Sequence, residues 1–203
     1  MCLLLRLLLL CGALPLAGAV IAQPDPRDAT LFEAWRASRT AEVAAYESFL
    51  RAEGLHELAP LYQLLRSASS WQDCAAEPFA IPPEERWPAV RGVLSLLRTL
   101  RERGVLRAPL EVHSTHRDEA LNACAGGAPR SAHRLAYAVD LTWPGQSDAA
   151  EALCTFWREH GRDWRMGLGR YPSGRLHIDT LGWRSWGADG SSRSALCALE
   201  PAG

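Results

Sequence analysis

The chain has 203 residues, with 22 basic against 23 acidic side chains and a formal net charge of −1. So even a balance leaves no basic surface for nucleic acid. Every basic side chain is Arg and none is Lys, a compositional bias of the source.

Residues 2–19 hold one early Arg (Arg6), a leucine run and then small residues leading to Val20-Ile21-Ala22. This is the three-part layout of a secretory signal peptide cleaved after Ala22. The apolar run is too short for a membrane span, and Gly12, Pro15 and Gly18 loosen its end. A lipid anchor at Cys11 would place the bulky Leu10 where a small residue is usual. The expectation is an exported protein, periplasmic or secreted, with no stable membrane insertion after cleavage. Residues 23–203 are then long enough for one domain, helical over 23–108 and carrying its site over 109–203.

Four cysteines follow the leader: Cys74, Cys124, Cys154 and Cys197. An even count, widely spaced and without C-x-x-C, points to disulfides in an exported chain, with three pairings open. We pair Cys74 with Cys124, tying the N-terminal half to the site, and Cys154 with Cys197, fastening the tail. Zinc binding by the thiols is the weaker alternative.

Asp28 to about Arg51 reads as helix, with Thr30 and Glu33 as a capping box and Leu31, Trp35, Val43, Tyr46 and Leu50 near helical spacing. A second helix places Leu58, Leu61, Tyr62 and Leu65 on one buried face. Residues 68–86, with Pro78, Pro82 and Pro83, form a loop in which Trp71 and Phe79 make a satellite core. Residues 87–103 are helical, with Val90, Val93, Leu94, Leu97 and Leu100 inward and Gly104 as the stop. Leu110, Val112 and Ser114 begin a strand, and a short helix runs from Asp118 to Cys124 before Gly126-Gly127-Ala128-Pro129. That glycine pair has no phosphate-loop context, since no Lys-Ser/Thr follows.

Tyr137 to Thr142 reads as a strand with Ala138, Asp140 and Thr142 on one face. His133 and Asp140, seven apart, are by themselves a common and uninformative pair. A helix capped by Asp148 runs to His160, a cation suited to the helix C-terminus, with Gly161 as the stop. Gly167–Tyr171 and Arg175–Asp179 flank a Pro172-Ser173-Gly174 turn as a hairpin. Burial of Leu176 and Ile178 forces His177 and Asp179 onto the opposite face.

The run S-x-H-x-x-A-x-A-x-D at Ser131–Asp140, preceded by Ser114-Thr115-His116-Arg117 and Asn122, and followed by Gly-x-Gly-x-Tyr and His-Ile-Asp, resembles the zinc D-alanyl-D-alanine carboxypeptidase family. The resemblance spans about residues 70–187. It implies an α+β fold shared with the Hedgehog signalling domain: a small, mostly antiparallel sheet carrying a zinc site and flanked by helices. It also implies Zn2+ held by His133, Asp140 and His177 with one position open, as in catalytic rather than structural zinc sites. Arg117 would hold a substrate carbonyl or carboxylate, Ser131 would contact substrate, and peptidoglycan peptides would be the partners.

Two positions depart from the family pattern. The family often has Gly at Ala136, a mild change if φ stays negative. Many members carry Glu or Asp three residues before the last zinc-binding His, where this chain has Gly174. Asp179 is therefore the expected general base, with His116 next in line. The competing reading pairs Asp179 with Arg175 or Arg184, or bonds it to His116. The expected function is a zinc peptidase acting on peptidoglycan stem peptides or crosslinks. Its rivals are a catalytically silent zinc-containing binding module and a disulfide-stabilised structural domain.

Overall fold

A computed structural model describes residues 25–107, 109–146 and 149–197. The signal-peptide expectation for residues 1–22 and the capping role of Asp148 fall outside these residues. Six α-helices are described: α1 (Ala29–Arg36), α2 (Thr40–Ala52), α3 (Leu61–Leu64), α4 (Trp87–Glu102), α5 (Glu119–Cys124) and α6 (Ala150–His160). Five strands, β1 (Glu111–Ser114), β2 (Ala138–Thr142), β3 (Gly167–Arg170), β4 (Leu176–Asp179) and β5 (Arg184–Trp186), form one sheet in the order β1-β2-β4-β3-β5. All neighbours are antiparallel except β3 and β5. The fold is α+β with a mostly antiparallel sheet. Among the described residues, no helix is long and apolar enough to cross a membrane.

The first helical stretch divides. Residues 37–39 break it, and the cap is Asp28, whose carboxylate accepts from the Leu31 N–H, rather than a Thr30–Glu33 box. The second helix shrinks to one turn, α3, with Gln63 and Leu64 as its buried residues while Leu61 and Tyr62 stay half-buried. Phe79 does not pair with Trp71; its ring sits 5.3 Å from Phe32 and 5.5 Å from Trp35, joining the main core. By contrast α4 forms as expected and buries Val90, Val93, Leu94, Leu97 and Leu100, with Gly104 beyond it at φ +71°. His160 ends α6, where Arg103 Nη1 lies 2.9 Å from its Nε2.

The core gathers the inward residues of α1, α2 and α4 with Val112, Val139, Leu141, Leu168, Leu176 and Ile178 of the sheet. With one sheet face used for packing, strand alternation hands Asp140, His177 and Asp179 to the other. Both disulfides join the expected partners: Cys74–Cys124 ties the proline loop to α5, and Cys154–Cys197 ties α6 to the C-terminal segment.

Candidate metal centre

Register sets the site. Asp140 of β2 lies opposite His177 of β4, and His177 lies opposite Gly169 of β3. His133 arrives from the loop before β2, where Ser131 Oγ accepts its backbone N–H at 3.3 Å and Ala136 turns the chain into the strand at φ +58°. That left-handed conformation overturns the expectation of a mild Gly-to-Ala departure, because an L side chain there crowds its own backbone.

Three ligand-type atoms converge. His133 Nε2 lies 3.1 Å from Asp140 Oδ1 and 3.2 Å from His177 Nδ1, and His177 Nδ1 lies 2.9 Å from Asp140 Oδ1. All three residues are buried. Zinc bonds of ~2.0–2.1 Å in a tetrahedron set neighbouring ligand atoms about 3.3 Å apart, close to this triangle.

The outer partners fix what the inner atoms are. His133 Nδ1 lies 2.5 Å from the Thr115 carbonyl, a pure acceptor, so Nδ1 carries the hydrogen and Nε2 turns a lone pair inward. His177 Nε2 lies 2.9 Å from Asp179 Oδ2, so its hydrogen points outward and Nδ1 faces the centre. Two imidazole lone pairs and a carboxylate oxygen at one point call for a proton or a cation between them. The donor set, two imidazoles and one carboxylate, suits zinc.

The electrostatics agree. Burial pulls His133 down to about 4, against the pull of Asp140, so the ring is neutral at pH 7. Burial opposes ionisation of Asp140, yet His133 and His177 hold it well below the usual carboxylate range. For His177 burial works downward, but hydrogen bonds to Asp140 and Asp179 outweigh it and raise its pKa. A cation at the centre takes the place of that proton. The outer oxygen of Asp140, Oδ2, accepts from Arg117 Nη2 at 2.7 Å, and Arg117 Nε donates to Ser114 Oγ at 2.9 Å.

A cleft of about 860 Å³ opens on this centre, lined among others by Arg117, Ser131, His133, Tyr171, His177 and Trp186. The Trp186 and Tyr171 rings lie 5.5 and 6.2 Å from that of His177. Gly169 makes room for this wall: a Cβ there would lie 2.0 Å from the Trp186 ring.

Two expected site residues sit elsewhere. Asp179 is fully buried on the far side of the His177 ring from the centre, where Arg184 Nη2 donates to it at 2.7 Å. Burial opposes its ionisation, but His177 and Arg184 keep its pKa low. It is placed to hold the ring rather than to take a proton from substrate-side water. His116 donates from Nδ1 to the His133 carbonyl at 3.2 Å and faces a separate cleft of about 500 Å³ with Trp35, Trp87 and Pro82. Thr115 escaped notice because it acts through its carbonyl, which no side-chain pattern reveals. Trp186 had only its position after His-Ile-Asp to mark it, whereas of the competing pairings for Asp179 the one with Arg184 is the one that forms.

Residues 64–179 match the family model described as Peptidase M15. The match spans more than half of the chain and includes His133, Asp140, His177 and Asp179. The chain belongs to this family, the M15 zinc D-Ala-D-Ala carboxypeptidases, and so stands among the zinc metallopeptidases. No curated protein and no solved structure matches it.

Proposed function

We propose that the chain is an exported zinc peptidase that hydrolyses peptidoglycan stem peptides or their crosslinks, with His133, Asp140 and His177 holding the metal. The observation that carries this reading is the convergence of His133 Nε2, Asp140 Oδ1 and His177 Nδ1 at the base of an open cleft. Membership of the M15 family supports the substrate class, and the two disulfides support an oxidising destination.

Zinc bound there supplies Lewis acidity and a nucleophile usable at neutral pH. The chain's own residues do the rest. Arg117 holds Asp140 in place, lines the cleft, and offers a guanidinium to a substrate carbonyl or terminal carboxylate. Asp179, itself gripped by Arg184, keeps Nδ1 of His177 turned inward. Tyr171 has its pKa raised, first by burial and then by Asp140, so it stays protonated and serves as a hydrogen-bond donor. Ser131 on the cleft wall contacts substrate.

One observation favours the silent binding module as a second reading: among the described residues, those lining the cleft include no Asp or Glu. Mass analysis of muropeptides after incubation with zinc-loaded protein separates the two. New products that vanish in His133→Ala establish the peptidase and identify the bond. Intact muropeptides that nevertheless co-purify with the protein establish the binding module.

A further inference from the structure

We propose that a second cleft on the metal face of the sheet, lined by His113, Thr142 and Arg175, holds a substrate carboxylate through Arg175; this rests on the peptidase reading above. Thr142 lies two places beyond Asp140 on β2, and Glu111 of β1 lies opposite Thr142. Arg175 immediately precedes β4, two places from His177. Two strand residues span roughly 6.6 Å, so this cleft, about 850 Å³, begins one short step from the centre.

Its cations are not equivalent. Arg27 is engaged by Asp25 and by the carbonyls of Ser67, Ala68 and His113. Arg66 is engaged by Glu111 and by the carbonyls of Arg27 and Val112. These two are built into the frame and almost fully buried. Among the described residues Arg175 bonds only the Ser69 hydroxyl, and no carboxylate forms an ion pair with it. Asp179, its nearest acid in sequence, is taken by Arg184. The result is a half-buried guanidinium with most of its donors unused, in a cleft whose other two arginines, Arg27 and Arg66, are met by Asp25 and Glu111 and whose remaining acid, Asp28, caps α1. A carboxylate suits such a fork bidentately.

His113 adds a second polar contact. Its Nε2 lies 2.8 Å from Thr142 Oγ1, while its Nδ1 is buried with no partner among the described residues. A buried ring nitrogen left open at the wall of a cleft is satisfied by a ligand group. Roughly two residues of extended peptide bridge 6.6 Å. The carboxylate therefore belongs to a residue about two places from the scissile bond. Stem peptides offer two, the α-carboxylate of a γ-linked glutamyl residue and the side-chain carboxylate of a diaminopimelyl residue.

The test uses the zinc-loaded protein and four pentapeptide muropeptides, which keep the terminal D-Ala–D-Ala bond: the glutamyl and diaminopimelyl carboxylates both free, each amidated singly, and both amidated. The pre-turnover binding phase is followed by rapid mixing. One single amidation should weaken binding by ~10-fold or more, the scale of a lost charged hydrogen bond, and which one does so names the source. Arg175→Gln should bind all four forms alike while keeping its zinc content, and Arg175→Lys should recover part of the discrimination. Equal binding of all forms by the wild type, or discrimination that persists in Arg175→Gln, overturns the proposal. Discrimination without any cleavage would instead remove the peptidase reading and leave this site standing.

Discussion

Asp179 and Asp140 grip opposite nitrogens of one imidazole: Asp179 Oδ2 lies 2.9 Å from His177 Nε2, and Asp140 Oδ1 lies 2.9 Å from His177 Nδ1. The two carboxylates thus have different tasks, one fixing the ring and the other sharing its metal. Asp179→Ala should lower zinc affinity by ~10–100-fold, the usual effect of losing such an outer partner. Asp179→Asn should lose less, because its amide oxygen can still accept from Nε2. Competition with a calibrated chelator measures both. Unchanged zinc affinity together with lost turnover would return Asp179 to the role of proton acceptor.

The same bond can be attacked without touching either partner. Gly167 of β3 faces Asp179, and a Cβ at that position would lie 2.1 Å from Asp179 Oδ2 and 2.7 Å from Arg184 Nη1. Neither group can retreat easily, since each holds the other. Gly167→Ala should therefore loosen zinc as Asp179→Ala does, with at least ~1 kcal/mol of lost stability from overpacking. Zinc titration and thermal melting check the two effects separately.

These relationships mark how far the sequence could be read. Alternation around Leu176 and Ile178 was enough to put His177 and Asp179 on one face; the cysteine count left three pairings open, and the pair chosen for tying the N-terminal half to the site and fastening the tail is the one that forms. Alternation does not say which nitrogen of an imidazole points where, and that detail moved Asp179 from the reaction to the support. The break at residues 37–39 was hidden because apolar spacing continues across it, and helical periodicity outvoted local cap chemistry at Asp28. The parallel pairing of β5 with β3 joins segments whose partnership is set by tertiary packing, so a three-residue strand gave no signal of its own.

Arg117 is tied to the centre more closely than a substrate clamp need be. Its Nη2 is the partner of Asp140 Oδ2, and its side chain is 11% exposed. Arg117→Ala leaves a buried carboxylate with one fewer counter-charge, a change that costs up to ~3–5 kcal/mol when nothing compensates. Zinc is such a compensation. The variant's loss of melting temperature should thus be larger in the metal-free protein than in the zinc-loaded one, and calorimetry of both forms tests it; equal losses would mean that zinc does not stand in for Arg117 as the counter-charge of Asp140.

The cleft around His113 sets a pH dependence. Burial, with help from Arg175 and Arg66 and against Glu111 and Asp25, pulls His113 from 6.5 to about 4. As pH falls below 6.5 the unfolded chain binds a proton that the folded chain refuses, so stability present above 6.5 is lost on the way to about 4. Asp25 continues the trend: burial opposes its ionisation, but Arg27 lowers it from 3.8 to about 2, so its contribution is lost between those values. In urea titrations His113→Gln should flatten the upper part of the slope and Asp25→Asn the lower. A wild-type stability that is level from pH 6.5 to 4 would contradict the burial of His113.

Ala136 offers a change that should improve the protein. It holds φ +58° just before β2, is 4% exposed, and its N–H donates to the His133 carbonyl at 3.2 Å, so the turn that aims His133 depends on it. A non-glycine residue in this region costs about 1–2 kcal/mol, which glycine does not incur. Glycine also gives the unfolded chain more freedom and removes a buried methyl, which offsets part of the gain. The net expectation for Ala136→Gly is a stabilisation of ~0.5–1 kcal/mol with zinc affinity retained or improved, because the loop then reaches the same bend without strain. Denaturant unfolding of the zinc-free protein measures the first quantity and chelator competition the second. A destabilised Ala136→Gly with unchanged zinc binding would show that the methyl's packing outweighs the backbone cost.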